Sequence, residues 1–368
     1  MRIDAIETLR RGPLVVVRVS TDDGAVGIGQ TAPYEAAVTA HVLHELVAPF
    51  FLGREVWDAE ALVDEFLRQT YKFPSSFLLR GLGGIETALW DLMGRAAGQP
   101  VWRLLGGAAR DSVPVYASSM VRDITPEAEA DRIAGLAAEF GFRAAKIRVG
   151  EAMGRDVDAA PHRTERIIPR MREVLGPDFL LSADANGGYT AAQAIRVGRI
   201  LEQHGYFHFE EPCPFPQLDE TAAVADALDI PVSGGEQDTS LPQFHRMVSR
   251  RAVDIVQPDV GYIGGISRAR KVAVLAEAAG IPCTPHCANA SLLQVFTLHL
   301  ALAMPACIHP QEWSIERTPW TEGVFGPMPE VVGGEVAAPH EPGWGIELEE
   351  GFVAQAERRI SRGSQQMD

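Results

Sequence analysis

The sequence predicts a (β/α)8 barrel of the α/β class, preceded by a small α+β domain. From residue 113 onward, eight short apolar runs alternate with helical segments, as in a barrel built from strand–helix units. Three acids close successive runs at a constant interval, because 26 residues separate Asp184 from Glu210 and again Glu210 from Glu236. No glycine-rich dinucleotide fingerprint follows the first predicted strand of this region, which disfavours an open doubly wound sheet.

The chain divides into three predicted parts. Residues 1–112 are expected to form the α+β domain, with antiparallel strands near the N-terminus and a helix over 83–97. Residues 113–320 are the predicted barrel, and residues 321–368 return to the first domain and end in a polar tail. The predicted barrel strands are 113–118, 144–149, 179–183, 207–209, 231–233, 254–257, 282–284 and 307–312.

The three evenly spaced acids are predicted to hold a metal ion. Parallel barrel strands present their carboxyl ends at one face, so Asp184, Glu210 and Glu236 should converge there. Converging carboxylates repel one another unless a cation joins them, and oxygen ligands suit a hard divalent ion such as Mg2+. The alternative is three unrelated acids of the barrel rim, each paired with a nearby Lys or Arg.

Other strand ends carry side chains that would complete a site. Lys146 and Arg148 lie two residues apart on one strand and therefore share a face, which we expect to point into the barrel mouth. The alternative is a surface pair that neutralises nearby acids. Asp259 and His286 end neighbouring strands, where a carboxylate fixes the tautomer of an imidazole and raises its basicity. This pairing favours a general base over a packed polar histidine. Glu312 ends the predicted eighth strand and would close the ring of site residues. The alternative is an ion pair between Glu312 and one of these cations.

Composition limits the partners that the chain can have. The formal net charge is −16 over 368 residues without a Lys/Arg block, which argues against nucleic acid or an anionic membrane, although not against a small anionic substrate. Because no apolar run approaches a signal core or a membrane span, we expect a cytoplasmic protein. Four cysteines do not make a disulfide framework, and the Cys283/Cys287 pair lacks the second pair of a zinc site. Residues 150–163 form either an extended loop over the barrel mouth or a solvated insertion.

These motifs together resemble a known family. DAN at 184–186, EEP at 210–212, GGE at 234–236, QPD at 257–259 and one histidine at the seventh strand follow the order seen in the enolase superfamily, and within it the mandelate racemase subgroup. The resemblance covers nearly the whole chain. It implies a modified (β/α)8 barrel with an N-terminal α+β capping domain, whose loops around 24–34 and 71–76 would set substrate specificity.

The resemblance also implies a role for each candidate residue. The metal ligands, which would hold Mg2+ (or Mn2+ as a substitute) against a substrate carboxylate, are Asp184, Glu210 and Glu236. Glu211 would support that set. The implied catalytic residues are Lys146, Arg148, Asp259, His286 and Glu312. The implied substrate-binding residues are Lys146, Arg148 and Asn186.

Arg148 departs from the family pattern and decides the expected reaction. Many relatives carry a lysine there as a second base, whereas arginine stays protonated and is suited to binding an anionic oxygen. We therefore expect a Mg2+-dependent dehydratase that converts an aldonate or aldarate to a 2-keto-3-deoxy acid with one base. The alternatives are a racemase, epimerase or sugar-acid lactone cycloisomerase, and, from another class, a non-catalytic metabolite-binding relative. Similarity to the family also implies a homo-oligomer, from dimer to octamer.

Overall fold

The computed structural model describes residues 1–73 and 75–363. Pro74, in the predicted specificity loop 71–76, and the end of the predicted polar tail, 364–368, lie outside the described residues. The strands are β1 (Ile3–Arg11), β2 (Leu14–Thr21), β3 (Val26–Gln30), β4 (Ser112–Ser118), β5 (Ala144–Arg148), β6 (Leu180–Asp184), β7 (His208–Glu210), β8 (Val232–Gly234), β9 (Ile255–Val256), β10 (Gln311–Ser314), β11 (Phe325–Gly326), β12 (Val331–Val332), β13 (Glu335–Ala337), β14 (Glu347–Leu348) and β15 (Glu357–Arg362).

The helices alternate with the barrel strands and also cover the N-terminal sheet. The α-helices are α1 (Ala36–Val42), α2 (Ala48–Phe51), α3 (Ala59–Gln69), α4 (Ser76–Ala97), α5 (Val101–Leu104), α6 (Pro126–Phe140), α7 (Arg163–Leu175), α8 (Ala191–Gln203), α9 (Leu218–Ala227), α10 (Leu241–Ser249), α11 (Val260–Ile263), α12 (Ile266–Ala278), α13 (Leu292–Ala303) and α14 (Glu350–Gln355). A π-helical turn, Leu43–Val47, joins α1 to α2, and 3-10 turns lie at Val56–Asp58 and Pro319–Thr321. Within the described ranges, we find no helix that is both long and apolar enough to cross a membrane.

The N-terminal sheet contains strands from both ends of the described chain. Its order is β15-β1-β2-β3, and all its pairs are antiparallel. The segment after β10 also touches the barrel on the way, because β13 pairs antiparallel with β4. The domain boundaries at 112/113 and 320/321 remain predictions.

The barrel is built from parallel strands in sequence order. β4 to β9 are neighbours in that order, and β10 closes the ring against β4. Ile147, Phe209 and Val232 lie on these strands and are fully buried, so the apolar core lies within and around the barrel wall. The predicted fold class, a modified (β/α)8 barrel with an α+β capping domain, is confirmed.

Two predicted barrel strands differ from the structure. The segment 282–284 is not a regular strand, and only single bridges, Val256–Cys283 and Asp259–His286, hold it in the seventh position. Prolines at 282 and 285 have no N–H to donate, which limits a continuous ladder. The eighth strand is Gln311–Ser314 instead of 307–312, since Cys307 and Ile308 donate to nearby carbonyls in a turn. Glu312 is therefore the second residue of its strand and does not end it.

Helix α4 begins earlier than the predicted 83–97. Ser75 caps its N-terminus by accepting a hydrogen bond from the Leu78 N–H at 3.1 Å. Glycines at 81, 83 and 84 therefore lie inside the helix. At Gly84 a Cβ would lie 2.7 Å from a methyl of Thr31 and 2.8 Å from a methyl of Val17, so this glycine permits close packing of α4 on the sheet.

The insertion 150–163 contains no helix or strand before α7 begins at Arg163. It packs on the loop that follows β6, because the Met153 N–H donates to the Asn186 carbonyl at 3.1 Å and the Asp156 N–H to the Gly188 carbonyl at 2.9 Å. The Asp156 carboxylate also accepts from the Thr190 N–H at 2.7 Å. The insertion thus lies at the carboxyl ends of the strands, as the loop interpretation expects.

Candidate active site

The three evenly spaced acids lie together at the carboxyl ends of neighbouring strands. Asp184 and Glu210 are the last residues of β6 and β7 and pair in register, and Glu236 follows β8 by two residues. One carboxylate oxygen from each residue lies within 4.8 Å of the other two, and all three residues are buried. The structure therefore offers an oxygen-only donor set of the kind that a hard divalent cation prefers.

The acid cluster is held by hydrogen bonds and carries excess negative charge. Burial alone would raise the pKa of Glu210, but Lys146, whose Nζ lies 2.5 Å away, holds that pKa well below its ordinary value. Burial and the neighbouring Glu210 carboxylate raise the pKa of Glu236, and burial with Glu236 raises that of the adjacent Glu211. These shifts indicate negative charge that Lys146 does not fully compensate, so the residues fit a divalent metal ion.

Two cations of β5 contact the acids. The buried Lys146 ammonium lies 2.5 Å from Glu210, 2.8 Å from Glu312 and 3.7 Å from Asp184. Burial would lower its pKa, but Glu210 and Glu312 raise the pKa above the ordinary value, so Lys146 stays protonated and serves as a donor. Arg148 forms an ion pair with Asp184. Both side chains thus face the acid cluster, as expected for residues two apart on a strand.

Asp259 and His286 form a buried dyad. The His286 Nδ1 lies 2.7 Å from one Asp259 carboxylate oxygen, and the other oxygen accepts from the Tyr262 N–H at 2.8 Å. The His286 Nε2 faces the acid cluster, 3.2 Å from Glu236 and 3.7 Å from Glu312. Burial would lower the pKa of His286, but Glu236, Glu312 and Asp259 outweigh it and raise the pKa to about 10. The arrangement can exchange a proton at Nε2 while Asp259 fixes the ring.

Glu312 is anchored from two sides. The Ser118 hydroxyl donates to one oxygen at 2.7 Å, and the Cys287 N–H donates to the other at 2.9 Å. Burial would raise its pKa, but Lys146 and His286 lower it to about 2. The Glu312 carboxyl is therefore ionised in this arrangement and accepts hydrogen bonds, and its role toward the substrate remains a prediction.

Asn186 is fully engaged with protein atoms. Its amide oxygen accepts from Arg148 at 3.0 Å and from Arg122 at 2.9 Å, and its NH2 donates to Asp184 at 3.2 Å. Asn186 therefore positions a metal ligand and a cation, and its role in substrate binding remains a prediction.

The sequence analysis did not identify several residues that contact Glu210 or Asn186. Gln257 donates to Glu210 at 2.7 Å, and the buried His208 places its Nε2 3.6 Å from the same carboxylate. Strand alternation gave a signal for His208, because residues two apart on β7 point to the same side. Arg122, which lies in the loop after β4, had no comparable signal.

Residues of the two predicted specificity loops lie at the interface between the capping domain and the barrel. Gln30, in the 24–34 region, donates to the Ser291 hydroxyl at 2.9 Å and accepts from the Leu292 N–H at 3.1 Å, a few residues after His286. Described residues of the 71–76 loop line a cavity of about 350 Å3 together with residues 239–242, where the loop that follows Glu236 enters α10. Their contact with substrate remains a prediction.

Family models match both parts of the chain. Residues 3–106 match the "Mandelate racemase / muconate lactonizing enzyme, N-terminal domain", and residues 128–352 match the "Enolase C-terminal domain-like" model. Among curated proteins, an arabinonate dehydratase of Saccharolobus solfataricus is 30% identical, covering 94% of this chain and 92% of that protein. A D-galactarolactone cycloisomerase of Agrobacterium fabrum is 34% identical over 91% of this chain and 88% of that protein.

Solved structures give the same family. A candidate racemase from Roseobacter denitrificans is 47% identical, with a TM-score of 0.96, and the match covers 99% of this chain and 100% of that one. A mandelate racemase/muconate lactonizing protein from Paracoccus denitrificans, complexed with magnesium, is 31% identical with a TM-score of 0.89 and 98% of both chains covered. The fold, the order of the site residues and these matches together show that the chain belongs to the mandelate racemase subgroup of the enolase superfamily.

Proposed function

We propose that this protein is a Mg2+-dependent acid-sugar dehydratase, a hydro-lyase that converts an aldonate or aldarate to a 2-keto-3-deoxy acid. The observation that carries the proposal is the buried His286–Asp259 dyad, whose Nε2 faces the three-carboxylate cluster. A base beside a cation site is the arrangement that removes a proton α to a carboxylate. The arabinonate dehydratase similar to this chain supports the substrate class.

Asp184, Glu210 and Glu236 would hold the Mg2+ ion. Bound there, Mg2+ would supply positive charge that stabilises the negative charge developing on the substrate carboxylate. Lys146 donates a hydrogen bond to that carboxylate, because the surrounding acids keep its ammonium protonated. A cation bound to Glu236 would offset the field of that carboxylate at His286, which would lower the pKa of the imidazole and favour the neutral form that a general base needs.

The elimination needs only one proton-transfer group. His286 takes the α-proton at Nε2, and Asp259 stabilises the imidazolium through Nδ1. The imidazolium then returns the proton to the β-hydroxyl, which leaves as water when the carbon–oxygen bond breaks, and the resulting enol tautomerises to the keto acid. Arg148 remains protonated throughout and binds an anionic oxygen of the substrate.

A screen of aldonate and aldarate stereoisomers with Mg2+, read out as α-keto acid, tests the proposal. We expect keto acid from one or a few isomers. An isomerase is the second candidate, because the cycloisomerase and the candidate racemase are both similar to this chain. Clean epimerisation or lactone isomerisation of a substrate that yields no keto acid would replace dehydration by that activity. No reaction with any isomer would favour the non-catalytic metabolite-binding alternative.

Metal removal tests the role of the acid cluster. Exhaustive chelation should abolish turnover, and Mg2+ should restore it. Glu236→Gln should lower turnover by at least ~10²-fold while the thermal unfolding transition is retained, because the residue lies beyond the end of its strand and outside the apolar core. Full activity after chelation or in Glu236→Gln would contradict the metal assignment.

A further inference from the structure

A cation of the capping domain lies close to the proposed base. Arg80 belongs to α4, and its guanidinium carbon lies 4.2 Å from the ring centroid of Tyr262. Tyr262 is part of the short helix that follows Asp259, and its ring centroid lies 6.2 Å from that of His286. The guanidinium of Arg80 and the imidazole that faces the acid cluster are therefore neighbours of the same aromatic ring.

The guanidinium of Arg80 lacks an anionic partner. Its Nε donates to the Ser76 hydroxyl at 3.0 Å, and, over residues 1–73 and 75–363, no carboxylate oxygen lies within 4.0 Å of its nitrogens. Other arginines of this domain differ, since Arg54 pairs with Glu65 at 2.5 Å and Arg95 with Glu347 at 2.6 Å. Stacking on an aromatic face leaves the edge of a guanidinium available for bidentate binding of a carboxylate.

We propose that Arg80 binds the distal carboxylate of the substrate, which makes dicarboxylic acid sugars the preferred substrates over aldonates. This proposal rests on the proposed function, because it assumes that the first carboxylate binds at the acid cluster. From its α-carbon to its far carboxyl carbon, an extended six-carbon chain spans roughly 5 Å, as follows from four C–C bonds of about 1.5 Å. A substrate whose α-carbon lies at His286 can therefore place its far carboxylate beside Tyr262, on which Arg80 stacks.

Charge supports the same assignment. The protein carries a net charge of −16, which disfavours an uncompensated second carboxylate in the site. A second carboxylate in this site needs its own cation, because the proposed function already assigns Lys146 to the first carboxylate and Arg148 to another anionic oxygen of the substrate. Arg80 stacks on Tyr262, next to His286, and its charge is available for this role.

The test compares an aldarate with the aldonate of the same configuration. We expect the wild type to show at least ~10-fold higher kcat/KM for the dicarboxylate. Arg80→Gln should lower kcat/KM for the dicarboxylate by ~10–100-fold, mainly through KM, because a charge-assisted hydrogen bond is lost, and should reduce the preference between the two substrates. Arg80→Lys should retain part of the preference. The matched control is Arg103→Gln, which removes another arginine stacked on an aromatic ring, Trp102 at 5.0 Å, and should leave the preference intact.

Two readouts separate this proposal from the reaction class. Keto-acid formation reports dehydration, whereas exchange of the α-proton with solvent deuterium reports proton abstraction in either a dehydratase or an isomerase. If the wild type exchanges the α-proton of the dicarboxylate faster than that of the aldonate, and Arg80→Gln loses this preference, the result would support binding of the distal carboxylate by Arg80. This conclusion would hold even if no keto acid appeared. Equal losses on both substrates in Arg80→Gln, or a wild-type preference for the aldonate, would overturn it, with thermal unfolding reporting whether the variant is folded. Exchange and keto acid both absent for every acid sugar would overturn both proposals.

Discussion

At the scale of single residues, Asp259 binds both the imidazole of His286 and the protein backbone. One oxygen of Asp259 binds the imidazole at 2.7 Å, while the other accepts from the Tyr262 N–H and begins the short helix α11. The carboxylate therefore cannot rotate without losing a helix cap. His286 is thus oriented by a group that the backbone itself holds in place.

Substitutions in the dyad should separate the base from its positioning residue. We expect His286→Asn to lose α-proton exchange and turnover together by ~10²–10⁴-fold or more, because no other group in this arrangement takes the proton. Asp259→Asn should also lower turnover, since an amide in place of the carboxylate favours the wrong tautomer of His286. Solvent-deuterium exchange measured by NMR, beside keto-acid assays, checks both. Near-native exchange in His286→Asn would assign the base to another residue.

Strand position made much of the site predictable at this scale. A residue that ends a parallel strand is placed at the barrel mouth whatever its neighbours are, which is why Asp184 and Glu210 could be placed together from spacing alone. The hydrogen bonds of Gln257 and Asn186 could not be predicted, because they depend on side-chain rotamers and on a loop of irregular length. The ionised state of Glu312 likewise depends on Lys146, whose exact approach only the folded chain defines.

At the scale of elements, the errors have a common cause. The predicted helix 83–97 begins too late, because α4 continues through glycines near its N-terminus, of which Gly84 packs on the N-terminal sheet. The run 282–284 is predicted as a regular strand, but Pro282 and Pro285 leave this part of the chain with single bridges. Local composition predicts whether a segment is helical or extended, whereas tertiary packing decides where the element begins and how regular it is.

The π-helical turn Leu43–Val47 provides a pH-dependent contact between elements. His44 is buried and its ring nitrogens lie 2.9 Å from the Thr8 hydroxyl on β1 and 2.8 Å from the Ser361 hydroxyl on β15. Burial, with the nearby charge of Arg359, lowers the pKa of His44 from 6.5 to about 4. Between these values the unfolded chain gains a proton that the folded protein does not accept.

We therefore expect the free energy of unfolding to fall as pH decreases from about 6.5 to about 4. The contribution of His44 is on the order of 1–2 kcal/mol, and it is fully present above pH 6.5. His44→Gln, which keeps hydrogen-bonding groups but never becomes charged, should flatten this part of the profile. Urea unfolding at several pH values measures it, with His162→Gln, an exposed histidine, as the control. An unchanged slope in His44→Gln would contradict the assignment.

At the scale of the whole molecule, a buried carboxylate joins the capping domain to the barrel. Glu86 of α4 accepts from the backbone N–H groups of Ile266 at 2.8 Å and Ser267 at 2.9 Å, at the N-terminus of α12. It also accepts from the Trp90 indole at 2.8 Å. Burial raises the pKa of Glu86, while these donors oppose the rise, so the contact depends on complete hydrogen bonding.

Removing this carboxylate should weaken the whole assembly. We expect Glu86→Ala to lower the free energy of unfolding by about 2–4 kcal/mol, because several buried donors lose their acceptor. Glu60→Ala is the control, since Glu60 also joins the capping domain to α12, through Arg270 at 3.2 Å, but is partly exposed and should contribute about 0–1 kcal/mol. Chemical denaturation measures both. Equal effects of the two substitutions would contradict the special role of Glu86.

The pairing of β15 with β1 delays completion of the N-terminal sheet during synthesis. Arg10 and Glu357, which face each other across this pair, are 347 residues apart in the chain. At roughly 5–20 residues per second, a ribosome needs on the order of 20–70 s to make the intervening polypeptide. Throughout that interval β1 is an open sheet edge, able to pair with another nascent chain. The capping sheet is thus completed only after all the described barrel strands have been translated.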